Sequence, residues 1–400
     1  MRPARPLIAA PLIARPLIAA GVVLGLLLIG QPPASAATTT KRVAVCKRAP
    51  HGRVGCFAIR VDRYSGGRVR HASAPIGYSP SDLRSAYGLP KTASRRGTVA
   101  IVDAYDDPNA EADLRVYRAE FGLPPCTSAN RCFRKVGQSG TRSLPVADPG
   151  WAQDISLDLD MASAICPTCR LLLVEARSSS QANLGASVNT AARLGASAIS
   201  NSYGGPDASD NTYGRYYHHP GIAVTASTGD SGYGVSYPAT SKWVTAVGGT
   251  TLTRSTRSRR GWHESAWSGS GSGCSTLNRA PWQSRTTTHC SGRAVADIAA
   301  VADPATGVAV YDSYAFEGTS GWLTFGGTSA ASPIIAAAFA LAGNTDSVKD
   351  GSYVWTHHTH GVNDVTTGST GSCPTTSWCT AKRGWDGPTG WGSPKGLTAL

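Results

Sequence analysis

The chain has 400 residues, 41% of them hydrophobic and 16% charged, with 45 glycines. That mix suits one large domain or two ordinary ones rich in turns, and it excludes a simple helical bundle. The formal net charge is +13, but the arginines are scattered and the densest groups, Lys41 to Arg53 and Arg254 to Arg260, fall in loop-like sequence. Without clustered cations among stacking aromatics, no nucleic-acid partner is expected, only weak adhesion to acidic surfaces.

Arg2 and Arg5 open a positive region, an RPLIA(A) repeat follows, and Gly21 to Gly30 forms a short apolar core. Ala34-Ser35-Ala36 then meets the small-x-small rule for signal peptidase, so residues 1–36 read as a signal peptide cut after Ala36. Arg15 and Pro16 break the apolar run, which leaves too little for a span of roughly 20 residues. The protein is expected to be secreted and extracellular, with no membrane attachment after cleavage. Ten cysteines fall into five close pairs, Cys46/Cys56, Cys126/Cys132, Cys166/Cys169, Cys274/Cys290 and Cys373/Cys379. An even, locally spaced set predicts five disulfides in an oxidising compartment. The Cys166–Cys169 CxxC as half of a zinc site finds no second CxxC or nearby histidine to complete it.

Residues 37–75 are polar and basic and read as a short N-terminal extension or pro-segment; residues 76–400 read as the main domain. Ser79-Pro80-Ser81-Asp82-Leu83 carries helix-start chemistry. Gly97 to Asp103 (GTVAIVD) reads as a strand and Asn109 to Phe121 as a helix. Trp151 to Ile165 has helical spacing, Arg170 to Val174 is a strand, and Ser180 to Leu194 is a helix of small residues. Ala198 to Asn201, Ile222 to Ala226 and Trp243 to Val247 are strands, and Ser332 to Ala342 is an apolar helix. Short buried strands alternating with helices predict an α/β fold, its central sheet mainly parallel with helices on both faces. In such sheets chemistry gathers at the carboxyl ends of the strands.

The segment Gly326-Gly327-Thr328-Ser329-Ala330-Ala331-Ser332-Pro333 holds the candidate nucleophile, Ser329. Two glycines allow a tight turn and the small residues begin a helix, whose N-terminal N–H groups favour developing negative charge; Pro333 is expected in the first turn. A serine nucleophile needs a base. Of nine histidines only His51 and His360 precede glycine, and neither is followed by threonine. Asp154 and Asp158 are four apart on an expected helix and therefore share a face, while Asp160 is turned away. Such a pair offers a base and an orienting acid, or alternatively belongs to a solvated acidic face. Asp230, in Ser227-Thr228-Gly229-Asp230-Ser231-Gly232, follows a strand where an oxyanion can be met if its carboxyl is protonated; an ordinary turn is the alternative.

Taken in order, GGTSAASP, the Asp154/Asp158 spacing, STGDSG and the segments around Asp364 and Asp386 resemble the sedolisin family, the serine-carboxyl peptidases, over roughly residues 77 to 400. Ile199 to Gly204, Ala246 to Thr250 and Gly271 to Ser275 add to the resemblance. It implies a subtilisin-like fold and a monomeric secreted enzyme that cleaves proteins or peptides at acidic pH. By position it makes Ser329 the nucleophile, Asp154 the base, Asp158 the orienting acid and Asp230 the oxyanion-stabilising acid. It also implies one structural calcium ion, held by the Asp364 and Asp386 carboxylates and the carbonyls of Val365, Lys382 and Gly384. The family has glycine where Lys382 stands.

The base departs from the family pattern. The family uses glutamate, and Asp154 is one methylene shorter, a loss of roughly 1.5 Å where about 1 Å can cost on the order of a hundredfold in rate. A non-catalytic secreted relative that binds peptides is the alternative; a histidine-dependent hydrolase lacks its histidine motif. Asp103, at the end of GTVAIVD, reads as a structural or substrate-side acid. The interval of about 40 residues between Ala36 and the main domain is short beside the family's long pro-domain.

Overall fold

The computed structural model of the chain describes residue 1 and residues 38–46, 52–65, 67–93 and 97–400. Apart from Met1, the expected signal peptide lies outside them.

The inner strands of the central sheet are consecutive runs of buried residues rather than alternating ones, as expected of strands covered on both faces. From one edge the order is Trp262–Ala266, Thr245–Arg254, Ala223–Ser227, Ala198–Asn201, Thr98–Ala104, Arg170–Ala176 and Phe133–Gly137, with Ile298–Val301 also paired to Thr245–Arg254. Every pairing is parallel except that of Trp262–Ala266. The expected α/β architecture is therefore present, helices packed on both faces.

Capping chemistry sets the helix boundaries. Ser79 caps Pro80–Tyr87 through a reciprocal box with Asp82, and the Ser180 hydroxyl accepts from Asn183 N–H at the head of Gln181–Arg193. Asp148 caps Pro149–Ile165 by accepting from the N–H groups of Gly150 and Trp151, two residues earlier than hydrophobic spacing alone suggests. Residues Gly150 through Ile165 are all buried, which overturns the reading of Asp154 and Asp158 as a solvated acidic face. The helix bearing Ser329 runs Thr328–Ala342, four residues longer at its start than expected. Pro333 therefore lies in the second turn, not the first. Lacking an N–H, it frees the Ser329 carbonyl, which accepts from the Ser202 hydroxyl at 3.3 Å.

A second, antiparallel sheet was not legible in local sequence. Val308–Phe316 and Thr319–Gly326 form a hairpin, Ile59–Ser65 pairs with its second strand, and Thr39–Ala44 adds to the outside. The residues that composition sets apart as an extension thus pack with the main domain, and Thr38–Leu400 is one compact unit. Arg60 fixes the join. It is fully buried, and its guanidinium meets both Asp62 oxygens, Gln153 Oε1 at 2.8 Å and the Phe316 carbonyl at 3.0 Å. All five expected disulfides are formed. Among the described residues no helix is long and apolar enough to cross a membrane.

Candidate active site

The strand Thr319–Gly326 delivers the chain to Gly327, the N-cap, at φ 93°. A Cβ there would lie 1.9 Å from the Phe57 carbonyl oxygen and 2.6 Å from Asp230 Oδ2, so glycine is required by both angle and space. Thr328 and Ser329 open the helix that follows. Ser227 Oγ donates to the Thr328 carbonyl at 2.8 Å, and Thr225 and Ser200 hold Ser332 from the sheet at 2.9 Å each. The helix N-terminus is thereby fixed over the carboxyl ends of the Ala198–Asn201 and Ala223–Ser227 strands.

Three of the expected acids converge on this point. Asp230 Oδ1 accepts from both the N–H and the hydroxyl of Thr328 at 2.8 Å, while Oδ2 is buried without a partner. Burial lifts the Asp230 carboxyl to about 7, against the pull of the Thr328 bonds. Asp158 Oδ2 accepts from Ser202 Oγ at 2.6 Å. Asp154 is the outlier, since neither of its oxygens has a hydrogen-bond partner. The Ser329 hydroxyl is close enough to favour its ionised form, yet it donates to the Ser202 carbonyl at 2.8 Å and accepts from Phe57 N–H at 3.0 Å. Hydrogen-bond geometry decides here: Ser329 and Asp154 are neighbours that are not bonded. Burial, then the Asp103 charge, pushes Asp154 and Asp158 well above the usual carboxylate range. No cation offsets that burial among the described residues. Asp160 faces the antiparallel sheet and accepts from Tyr311 N–H at 3.0 Å.

Sequence reasoning passed over Ser202, whose hydroxyl and carbonyl link Asp158 to Ser329; only the Ile199–Gly204 stretch as a whole hinted at it. Asp103, expected to be a structural or substrate-side acid, is fully buried, without a hydrogen-bond partner among the described residues and lifted by burial to about 8, near enough to raise both Asp154 and Asp158. Phe57, from the N-terminal extension, was missed entirely. So were Asp107, Asp113 and Asp312, whose carboxylate oxygens gather within 4.8 Å of one another.

The C-terminal acids come from two segments that meet at residues 382–384. Gly384 N–H donates to Asp364 Oδ2 and Lys382 N–H to Asp386 Oδ2, each at 3.0 Å. Burial lifts Asp386 to about 7, and the Asp364 charge adds to that. Two carboxylates near enough for one to raise the other offer oxygen donors, the ligand type a hard cation such as calcium takes. Lys382 is not in a left-handed conformation, whereas Gly384 is at φ 76°, so lysine meets no backbone obstacle there.

Sheet order, helix placement and the serine at a helix N-terminus define a subtilisin-like α/β protein. Residues 152–392 match the subtilase family, peptidase S8. Kumamolisin from Bacillus sp. (strain MN-32) is 31% identical over 370 residues, 82% of this chain, and the chain spans 64% of that protein's length. The structure of Pseudomonas sedolisin, a serine-carboxyl proteinase complexed with pseudo-iodotyrostatin, is 26% identical with a TM-score of 0.66, covering 81% of this chain and 96% of that one. Fervidolysin from Fervidobacterium pennivorans, a keratinolytic enzyme related to subtilisin, shares the fold at 15% identity and a TM-score of 0.50, covering 80% of this chain and 45% of that one. The chain belongs to the subtilase family, in its sedolisin branch.

Proposed function

We propose that this chain is a secreted serine-carboxyl peptidase that hydrolyses peptide bonds of proteins at acidic pH, with Ser329 as nucleophile. The observation that carries the reading is the meeting of one serine with Asp154, Asp158, Asp103 and Asp230 in a buried site where, among the described residues, no histidine bonds the serine. In this mechanism Asp154, ionised, takes the Ser329 proton as Oγ attacks the carbonyl carbon, then returns it to the leaving amine. Asp158, held by Ser202, orients Asp154. Asp230, protonated, donates to the developing oxyanion together with Ser329 N–H.

The pH dependence follows from these states. Asp103, Asp154 and Asp158 act on one another through their charges, so ionising one makes the next harder, and one negative charge among them suffices for a base. Asp230 must keep its proton, and with its carboxyl at about 7 the activity falls above that pH. One calcium ion, held by Asp364, Asp386 and the carbonyls of Val365, Lys382 and Gly384, would tie the C-terminal turns together as a structural element.

The unbonded Asp154 supports a second reading, a peptidase-like protein that binds peptides without cleaving them. An assay of the chain on a denatured protein from pH 3 to pH 9, beside Ser329→Ala, separates the two. Equal rates for both proteins at every pH would leave only the binding reading.

A further inference from the structure

Asp230 stands on a yielding piece of chain. Thr328 fixes its Oδ1, but Gly229, Gly232 and Gly234 around it are glycines at φ 115°, 73° and 145°. Glycine leaves the backbone the most freedom to move, so contacts from outside must hold this turn. Two come from the neighbouring segment: Gly271 N–H donates to the Gly229 carbonyl at 2.8 Å, and Gly232 N–H donates to the Gly269 carbonyl at 2.9 Å. Of residues 231–234 only Gly232 is buried, and its nearest cover is the Thr370 carbonyl oxygen, 2.9 Å from where a Cβ would stand.

Thr370 lies at the foot of a hairpin spanning residues 368–381. Its N–H donates to the Cys379 carbonyl at 2.8 Å, and Ala381 N–H donates to the Gly368 carbonyl at 3.0 Å. The Cys373–Cys379 disulfide closes the tip. Ala266 N–H, from the edge of the central sheet, pins the base by donating to the Thr367 carbonyl at 2.8 Å, and Trp378 Nε1 pins the tip by donating to the Thr288 carbonyl at 2.7 Å. On the inner side the Thr370 hydroxyl meets the Ser272 hydroxyl at 3.3 Å, and Ser272 exchanges two main-chain bonds with Gly234. The Trp378 ring lies parallel to that of Tyr233, their centroids 6.5 Å apart. Gly232, Tyr233 and Gly234 thus lean on one stapled hairpin, directly or through Ser272.

We propose that Thr370 is a positioning residue for the oxyanion acid Asp230, and that the Cys373–Cys379 staple holds Thr370 in place to do it. The proposal rests on the peptidase reading above. An oxyanion donor must sit about 2.7–3.1 Å from the oxygen as charge develops, and a displacement of about 1 Å can cost on the order of a hundredfold in rate. When the hairpin loosens, the Gly232 side of the turn loses its cover while Thr328 still holds Oδ1. The carboxyl then pivots, and the unpartnered Oδ2 leaves its place beside Gly327. None of these hairpin contacts involves Ser329, so the loss falls on the transition state rather than on substrate binding.

The test measures kcat and KM on a peptide substrate for the chain, for Cys373→Ser/Cys379→Ser and for Thr370→Val, which keeps the disulfide and the side-chain volume. Cys126→Ser/Cys132→Ser is the matched control, because both disulfides span a separation of 6 and the second lies beside the far edge strand, Phe133–Gly137. The first cysteine pair should lower kcat about tenfold or more and Thr370→Val about threefold, each with KM changed by less than about twofold; the control should move neither. Made in Asp230→Ala, either variant should cost less than about a further twofold, because the group it positions is gone. Thr370→Val decides the matter if the cysteine pair does not fold. An unchanged kcat in either folded variant, or a loss of equal size in the control pair or in the Asp230→Ala background, would overturn the inference and leave the peptidase reading intact. With no hydrolysis by any of the proteins the peptidase reading fails, and hydrogen exchange at the Gly232 and Gly271 N–H groups then decides the brace alone. Exchange about tenfold faster in the cysteine pair than in its control upholds it, and equal exchange overturns it.

Discussion

Two groups of buried aspartates lie on opposite sides of the helix Pro149–Ile165, and they are treated differently. Asp107, Asp113, Asp160 and Asp312 face the antiparallel sheet, and each accepts a hydrogen bond: from Asn109 N–H, Ser313 N–H, Tyr311 N–H and Gln153 Nε2 respectively. Asp103, Asp154, Asp158 and Asp230 lie on the Ser329 side, and among the described residues each has at least one buried oxygen with no hydrogen-bond partner. An unsatisfied buried polar group costs roughly 1–3 kcal/mol, so a fold that leaves several together is holding them for something other than stability. In the first group burial raises the carboxyls and their hydrogen-bond donors pull them part of the way back. The second is the group proposed above to work with Ser329.

The largest effect that bears on this contrast is Ser329→Ala, which should lower hydrolysis by on the order of a thousandfold or more, measured as initial rates on a peptide substrate. Next comes Asp230→Ala, expected to cost about 10²–10³ in kcat, as for an oxyanion donor, while Asp230→Asn should keep part of the activity and lose the fall above pH 7. Asp154→Glu should raise kcat by about ten- to a hundredfold by restoring reach to Ser329. On the structural side, Asp312→Asn should leave the shape of the pH–rate profile unchanged and alter thermal stability alone.

Stability itself should favour acid. Folded carboxyls at about 7 for Asp107 and Asp230 and about 8 for Asp103 and Asp312 lie above the unfolded value of about 3.9. The folded chain binds more protons in that window, so each group's contribution is complete below about pH 4 and is lost as pH rises through 7 to 8, at up to about 1.4 kcal/mol per pH unit. Melting temperature followed from pH 4 to pH 8 should fall. The smallest effect is chelation. Removing calcium from the Asp364/Asp386 turn should cost about 3 kcal/mol if the ion is present at a hundredfold its Kd, read as a lower melting temperature with EDTA that Asp364→Ala no longer shows.

Much of this was legible in the sequence, because the parallel sheet writes itself locally. Continuous apolar runs gave its strands, and the helix-start chemistry at Ser79 to Leu83 marked the head of Pro80–Tyr87. The antiparallel sheet did not, since Ile59 meets Gly326 across 267 positions and nothing near either residue says so. The acids were found by spacing and resemblance. What spacing could not reveal was burial on every side of Pro149–Ile165, the turn that Pro333 occupies, or the direction of the Ser329 hydroxyl. Ser202 escaped because half of its role belongs to its main-chain carbonyl, and Phe57 because it reaches the site from a segment that composition had set apart.

The central claim is that Ser329 works with acids rather than with histidine. The direct measurement is the Ser329-dependent rate of hydrolysis of a peptide substrate against pH, taken as the difference between the wild type and Ser329→Ala. A rate that peaks below pH 7 and falls through it as Asp230 loses its proton is the predicted result. A rate that is low in acid and still climbing between pH 7 and pH 9 would contradict it.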